Sequence, residues 1–206
     1  MNAASKRAFA RFDETPDEHF YQTPRFVTHI DDEAIAAVTQ LYREYFPANG
    51  ALLDLMSSWV SHLPPDRQYS RVAGVGMNRD ELKANARLTE YAMQNLNETP
   101  QLTFLDNQFD GAAICVSIQY LKRPVAVLRE LGRVLRPGAP LVITFSNRCF
   151  PTKAVAIWQS LDDAGHARLV ESYLSEAGNW DGITQLDRTS NSYGDPLWAV
   201  VARRAE

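Results

Sequence analysis

Glycine and cysteine are both scarce in this sequence, which has ten glycines and two cysteines among 206 residues. Cys115 and Cys149 lie in or beside apolar runs, form no CxxC pair and have no histidine at ligand spacing. A disulfide framework and a zinc finger are therefore not expected, and a reducing compartment fits the sequence better. A chain of this length can bury roughly 70% of its unfolded surface in one domain, so it needs no such covalent support.

Long apolar runs and clusters of basic residues are missing as well. No stretch approaches the roughly 20 apolar residues that cross a bilayer, and the N-terminal segment lacks the apolar core of a secretory signal. The formal net charge is −4 with scattered basic residues, so no electrostatic footprint for nucleic acid is visible. We therefore expect a cytoplasmic protein without nucleic-acid or membrane partners. Motifs of serine hydrolases, P-loop kinases and zinc proteases are also missing, and no metal site is expected.

What the chain does contain is an alternation of apolar runs and helical patterns. Continuously apolar runs predict strands, and a period near 3.6 residues predicts helices. The strand candidates are residues 51–56, 72–76, 111–117, 141–145, 182–189 and 196–204. Helices are predicted over residues 31–46, 81–88, 124–135, 152–161 and 166–177. Residues 1–30 show no clean period, so we interpret them as an irregular arm that packs on a domain formed by residues 31–206.

This order of elements predicts an α/β fold. Buried strands that alternate with helices form a doubly wound, mostly parallel sheet, and the final pair of strands predicts an antiparallel hairpin at one edge. Such sheets bind ligands beyond the carboxyl ends of their strands. A binding site is therefore expected in the segments that follow Met56, Gly76, Ser117 and Phe145.

The most specific pattern in the sequence is residues 105–145, LDNQFDGAAICVSIQYLKRPVAVLRELGRVLRPGAPLVITF. A Phe-Asp pair leads into an apolar strand, and a helix that begins at a proline then ends in RVLRPG. This stretch resembles class I S-adenosylmethionine-dependent methyltransferases of the broad type 11 kind, which act on small molecules. The resemblance implies a Rossmann-like sheet of seven strands, S-adenosylmethionine as cofactor, S-adenosylhomocysteine as product and a small-molecule methyl acceptor as partner.

The segment after the first strand departs from that family, which usually has D-x-G-x-G-x-G there. This chain has Asp54, Met56, Ser57, Ser58 and Trp59 instead. The resemblance implies that Asp54 orders the loop or meets the cofactor's ammonium group through water, and that the serines contact its carboxylate. Met56 is also a cofactor-binding candidate. The larger side chains of Met56 and Trp59 must either form a wall of the cofactor site or point away from it. The pattern indicates an atypical subgroup with a degenerate glycine loop.

The segment after the second strand departs from the family too. Family members usually end this strand with an acid that accepts both ribose hydroxyls, whereas this chain has Gly76, followed by Met77 and Asn78. The resemblance makes all three cofactor-binding candidates, and Asn78 could replace part of the missing contact. Alternatively, Gly76 could simply permit a turn with positive φ.

The remaining cofactor-binding candidates come from three other segments. At the place that follows the third strand in the family, this chain has residues 93–97, MQNLN, and the resemblance implies that Asn95 or Asn97 accepts from the adenine amino group and that Leu96 covers the ring. Asparagines are also common in turns, so a purely structural role is open for both. Ser117, the last residue of the strand candidate 111–117, and Tyr21, from an arm that could act as a lid, complete the set.

Catalytic residues are harder to identify, because methyl transfer mainly requires positioning of the acceptor and exclusion of water. A general base helps only if the acceptor is a hydroxyl or a protonated amine. The candidates are His62 as a base, Tyr120 as a hydrogen-bond partner of the acceptor, and Arg148 as a ligand for a carboxylate or phosphate. Alternatively, His62 could be a capping or solvent-facing histidine, Tyr120 could form an apolar wall and Arg148 could belong to a surface ion pair.

Three functions are therefore open at this point. The leading hypothesis is an S-adenosylmethionine-dependent methyltransferase that acts on a small molecule. The second is a catalytically silent protein of the same fold that serves as a binding or partner protein, because the glycines and the ribose acid are missing. The third is a nucleotide-dependent oxidoreductase, although the dinucleotide glycine fingerprint is absent. The methyl acceptor and the oligomeric state are not determined by the sequence.

Overall fold

Seven strands form one sheet in the computed structural model, which describes residues 7–190 and 193–206. The strands are β1 (Ala51–Leu55), β2 (Arg71–Gly76), β3 (Glu90–Met93), β4 (Gly111–Cys115), β5 (Pro140–Phe145), β6 (Trp180–Asp187) and β7 (Trp198–Arg204). Their order across the sheet is β3-β2-β1-β4-β5-β7-β6. The first five strands pair in parallel, whereas β7 is antiparallel to both β5 and β6. The predicted doubly wound, mostly parallel sheet with an antiparallel C-terminal edge hairpin is thus confirmed.

Helices cover both faces of the sheet. In the described chain they are α1 (Asp17–Phe20), α2 (Asp32–Tyr45), α3 (Arg79–Ala84), α4 (Pro124–Val134), α5 (Ala156–Gln159) and α6 (Asp163–Ala177). A short 3-10 helix, Ile118–Tyr120, follows β4. The side chain of Asp31 accepts a hydrogen bond from the Ala34 N–H and so caps α2, the helix predicted over residues 31–46. Across the described residues, no helix is both long and apolar enough to cross a membrane.

Two of the predicted helices are wrong in their extent. The helix predicted over 81–88 begins two residues earlier, because Asn78 caps it, and it ends before Asn85. The helix predicted over 152–161 is reduced to α5. The N–H groups of Val155 and Ala156 donate to the carbonyls of Gln119 and Ala10, which are remote in sequence. These two donors are therefore not available for helical hydrogen bonds within the predicted segment.

The core has two layers because successive strand residues face opposite sides of the sheet. Leu53, with its neighbours on that face, packs against α4 and α6, where Leu131 and Leu174 are fully buried. Leu52, one residue earlier, faces the other side and packs with Leu41 of α2. Burial on both faces explains why the strands are continuously apolar and do not alternate.

The arm, here the described residues 7–30, runs across the carboxyl ends of the parallel strands. Its backbone pairs with the segment after β5, since the Asp13 N–H donates to Thr152. Farther along, the Tyr21 carbonyl accepts from Asn78 after β2, and the Val27 carbonyl accepts from the Trp59 indole after β1. The arm therefore covers the edge of the sheet at which a ligand is expected.

A buried charge cluster fixes the start of the arm. Asp17 is 6% exposed and accepts a 2.5 Å hydrogen bond from Arg11, and the ammonium of the fully buried Lys153 lies 3.5 Å away. Burial alone would raise the pKa of Asp17, but hydrogen bonds from Arg11 and Asn97 outweigh it and lower this pKa. The cluster joins the arm to the segments after β3 and β5, because Asn97 and Lys153 lie there.

We predict that Asp17→Ala lowers the free energy of unfolding by about 3–5 kcal/mol, because Arg11 loses its buried carboxylate and Lys153 loses one of the two carboxylates that it pairs with among the described residues. Urea unfolding measures this loss, and limited proteolysis within residues 7–30 measures release of the arm. Glu14→Ala is the matched control, since its ion pair with Lys122 is exposed and such pairs contribute only about 0–1 kcal/mol. Equal losses in the two variants would contradict the role assigned to the cluster.

Candidate functional site

A cavity of about 300 Å³ lies between the arm and the carboxyl ends of the parallel strands. Its wall is formed by the segments that follow β1, β2, β3, β4 and β5 and by four arm residues. The arm residues are Asp17, Tyr21, Arg25 and His29. This is the position at which the sheet topology predicts a ligand site.

The segment after β1 forms one side of the cavity with Met56, Ser57 and Ser58. Met56 has a φ of 59°, so the backbone keeps a conformation that favours glycine although the residue is not glycine. Such left-handed residues are concentrated at functional sites. Trp59 points away from the cavity, since its indole N–H donates to the arm carbonyl of Val27 at 3.0 Å.

Gly76 is required by a close approach of two backbone segments. A Cβ at this position would lie 2.3 Å from the carbonyl oxygen of Ser57, which is far inside van der Waals contact. The Ser57 N–H also donates to the Val75 carbonyl at 2.7 Å, so the two segments are held together. The interpretation of Gly76 as a residue with positive φ is wrong, because its φ is not in that range.

Asp54 is buried beneath this loop and does not line the cavity. One carboxylate oxygen accepts from the hydroxyls of Ser57 at 2.7 Å and Ser61 at 2.6 Å. Burial raises the pKa of Asp54 to about 6, although the two serine hydrogen bonds oppose the shift. These contacts match the ordering role for Asp54, one of the two roles that the resemblance implied.

The side-chain amide of Asn78 is fully used within the protein. Its Oδ1 accepts from the N–H groups of Asp80 and Glu81 at the start of α3. Its Nδ2 donates to the arm carbonyls of Tyr21 and Gln22. An amide oxygen has two lone pairs, so these contacts leave none for a ribose hydroxyl. Met77, the residue before it, lines the cavity.

The segment after β3 is also tied to the arm. Asn95 donates to Glu18, and its Oδ1 accepts from the Asn97 N–H. Asn97 donates to Asp17 and to the Tyr120 carbonyl, and its Oδ1 accepts from the Lys122 N–H. Both asparagines line the cavity together with Leu96, which is almost completely buried.

The segment after β4 brings strained backbone and an unpaired hydroxyl to the cavity wall. Val116 has a φ of 41°, which is unusual for a β-branched residue. The adjacent Ser117 is buried, lines the cavity and has no hydrogen-bond partner for its Oγ within the described structure. A buried hydroxyl without a partner is destabilising, so a ligand that pairs with it gains from the contact.

The three catalytic candidates do not come together. Tyr120 lines the cavity, and its hydroxyl oxygen accepts from the Phe150 N–H at 2.8 Å. Burial raises the pKa of this phenol, so the hydroxyl stays protonated at neutral pH. Arg148 lies at the mouth, where its side chain is 63% exposed and pairs with Asp195. His62 does not line the cavity, and burial lowers the pKa of its imidazole.

Sequence reasoning missed several residues of the cavity wall. Glu81 lies in the first turn of α3 and is buried, with its carboxylate bonded to the Ser58 hydroxyl and the Arg25 N–H. His29 comes from the arm and stacks edge-on against Phe150, and burial lowers its pKa. A signal that could have pointed to His29 is the set of aromatic residues in the arm, such as Phe20 and Phe26, because aromatic residues indicate packing. For Glu81 the sequence offers no sharper signal than an acid in the first turn of a helix, which is a common position for one.

The sequence matches one known family model. Residues 55–143 match the model described as a methyltransferase domain. The matched stretch covers less than half of the chain and includes most of the segment, residues 105–145, on which the resemblance rests. No curated protein matches the sequence significantly.

Solved structures share the fold at low sequence identity. A SAM-dependent methyltransferase from Archaeoglobus fulgidus superposes with a TM-score of 0.62 at 14% identity, over 84% of this chain and 95% of that one. The [4+2]-cyclase SpnF superposes with a TM-score of 0.61 at 16% identity, over 81% of this chain and 80% of that one. A Haemonchus contortus phosphoethanolamine N-methyltransferase, solved with S-adenosylhomocysteine, superposes with a TM-score of 0.57 at 14% identity. The match covers 84% of this chain and 53% of that one. The class I methyltransferase fold implied by the resemblance is thereby confirmed.

We predict that Gly76→Ala destabilises the protein by about 1–3 kcal/mol, since the added methyl group meets the Ser57 carbonyl and displaces the loop after β1. The matched control is Gly74→Ala in the same strand, where the new Cβ meets the end of the Leu88 side chain, which can rotate. Chemical denaturation of both variants checks this prediction. A loss in Gly76→Ala no larger than that in Gly74→Ala would contradict it.

We also predict that Asp54 makes the protein less stable as the pH rises. Its pKa of about 6 in the folded protein lies above the ordinary 3.8, so its stabilising contribution is full below pH 3.8 and lost as pH rises through 6. The difference corresponds to roughly 3 kcal/mol. Denaturation between about pH 3.5 and pH 7 should show this decline in the wild type and not in Asp54→Asn. Parallel pH profiles for the two proteins would contradict the prediction.

Proposed function

We propose that this chain is an S-adenosylmethionine-dependent methyltransferase that acts on a small molecule. The observation that carries the proposal is the cavity at the carboxyl ends of the parallel strands, in a chain whose residues 55–143 match a methyltransferase domain. Its volume of about 300 Å³ is at the lower end of the range for small-molecule sites. Within the family, the segment Met56–Ser58 makes the chain an atypical member with a degenerate glycine loop.

The residues of the cavity fit the cofactor. The unpaired Ser117 hydroxyl offers a hydrogen bond inside the wall. Met77 and Leu96 would hold the adenine between apolar side chains, while Ser57 and Ser58 would face the amino-acid end. When bound, the cofactor supplies an activated methyl group on a sulfonium, so the protein has no covalent step of its own to perform.

The contribution of the chain is then to orient the acceptor and exclude water. The arm forms the side of the cavity that faces the carboxyl ends of the strands, and its buried charge cluster holds it there. Tyr120 keeps its proton and can donate it in a hydrogen bond to an acceptor oxygen or nitrogen, because the Phe150 N–H occupies only one lone pair of its oxygen. Arg148 at the mouth can bind an anionic group of the acceptor in exchange for Asp195.

A specific observation favours the second candidate, a catalytically silent binding protein. The side chains of Asn78, Asn95 and Asn97 are all hydrogen-bonded to the arm or to neighbouring segments. The residues expected to bind the cofactor therefore stabilise a closed arm, and ligand entry requires some of these contacts to break. SpnF shows that a related fold is also found in a protein named as a cyclase.

We predict saturable binding of S-adenosylhomocysteine, measured by isothermal titration calorimetry. Met77→Trp should weaken it by about tenfold or more, because the larger side chain fills part of the cavity. The matched control is Met93→Trp, a half-exposed methionine that does not line the cavity. No detectable heat at millimolar ligand would rule out the proposed function.

Transfer of label from S-adenosylmethionine separates the methyltransferase from the silent protein. The labelled cofactor is incubated with small-molecule fractions of a cell extract, and the products are resolved by chromatography. Incorporation that disappears in Met77→Trp supports the enzyme, whereas binding without incorporation in any fraction supports the silent protein. A nicotinamide nucleotide that raises the melting temperature, with S-adenosylhomocysteine inert, would favour the oxidoreductase.

A further inference from the structure

We propose that Glu81, in the first turn of α3, binds the ribose hydroxyls of the cofactor. The proposal rests on the proposed function, because it takes S-adenosylmethionine as the ligand. Glu81 lines the cavity and is 8% exposed, so its carboxylate is in a water-poor environment. A carboxylate in such an environment needs several hydrogen-bond donors to be stable.

The carboxylate of Glu81 lacks a cationic partner. Among the described residues no arginine, lysine or histidine forms an ion pair with it. Its Oε1 accepts a hydrogen bond of 2.7 Å from the Arg25 N–H, and its Oε2 accepts one of 2.6 Å from the Ser58 hydroxyl. An ionised carboxylate has about four acceptor sites, so each oxygen keeps capacity for one more donor. A vicinal diol presents two O–H donors, which matches the two oxygens.

The order of the strands places the middle of the ligand next to this carboxylate. The cavity wall runs from Ser57 after β1, across Gly76 at the end of β2, to Leu96 after β3, and β2 lies between the other two strands. S-adenosylmethionine has its adenine at one end and its amino acid at the other, with the ribose between them. A cofactor that spans the segments after β1 and β3 therefore has its ribose near β2 and α3, whichever end lies on which side.

Other acceptors on this side of the cavity are not available. A side chain at position 76 is barred by the Ser57 carbonyl, 2.3 Å from where a Cβ would be. Asn78 has both lone pairs of its Oδ1 engaged at the start of α3. Asp54 lies beneath the loop and faces Ser57 and Ser61, away from the cavity. Glu81 remains as the carboxylate that can reach a ribose from the β2 side.

The test compares S-adenosylhomocysteine with its 2′-deoxy and 3′-deoxy analogues by isothermal titration calorimetry. In the wild type, loss of a hydroxyl that donates to a carboxylate should weaken binding by about 10- to 150-fold. Glu81→Gln keeps the size of the side chain but removes its charge, so the penalty for the deoxy ligand should shrink by about fivefold or more. The matched control is Asp80→Asn, an exposed acid of the same helix turn that does not line the cavity.

A purely structural role for Glu81, as a link between Ser58 and Arg25, predicts a different result. In that case Glu81→Gln changes the melting temperature of the unliganded protein but leaves the ratio of ribo to deoxy affinity as it is in the wild type. An unchanged ratio, or no discrimination by the wild type, overturns the proposal while the proposed function stands. If wild-type protein does not bind S-adenosylhomocysteine at all, the proposed function fails first and the Glu81 proposal with it.

Discussion

The contact between the backbones of Ser57 and Gly76 is the constraint on which the cavity depends. It brings the segment after β1 across the end of β2, so that no side chain can stand at the end of that strand. The same path requires Met56 to take a left-handed conformation, which costs a non-glycine residue about 1–2 kcal/mol. The same loop also brings the Ser58 hydroxyl within hydrogen-bond distance of the Glu81 carboxylate in α3. The floor of the cavity is therefore made of two packed backbone segments, and its acidic group comes from a helix.

The arm adds a second constraint, of electrostatic origin. Burial of Arg11, Asp17 and Lys153 is tolerable only while all three stay together, since each separated charge would be left in a medium of low dielectric constant. Their contacts hold the arm against the segments after β3, β4 and β5. The arm is thus a fixed part of the cavity wall in this structure.

The elements that were predicted well depend on local signals. Asp31 caps α2 and Pro124 begins α4 through contacts within a few residues, and the apolar strands need only burial on both faces. The segments that were predicted badly depend on remote partners. Residues 152–161 form little helix because Gln119 and Ala10 accept from their N–H groups. In the same way Asn78, which was expected to face the cofactor, is engaged by the arm, about 57 residues earlier in the chain.

The sequence by itself determined the doubly wound sheet, the edge at which a ligand site must lie and the scarcity of glycine in the first loop. These follow from periodicity and from residue types, which are properties of short segments. Only the tertiary structure decided which polar side chains remain available in the cavity. Hydrogen-bond capacity depends on which groups approach one another. Here the arm accepts from the side-chain NH2 groups of Asn78, Asn95 and Asn97, whereas the Ser117 hydroxyl in the cavity wall has no partner among the described residues. The physical reason is clearest at Asn78, because an amide oxygen accepts only two hydrogen bonds and folding assigns both of them to the start of α3.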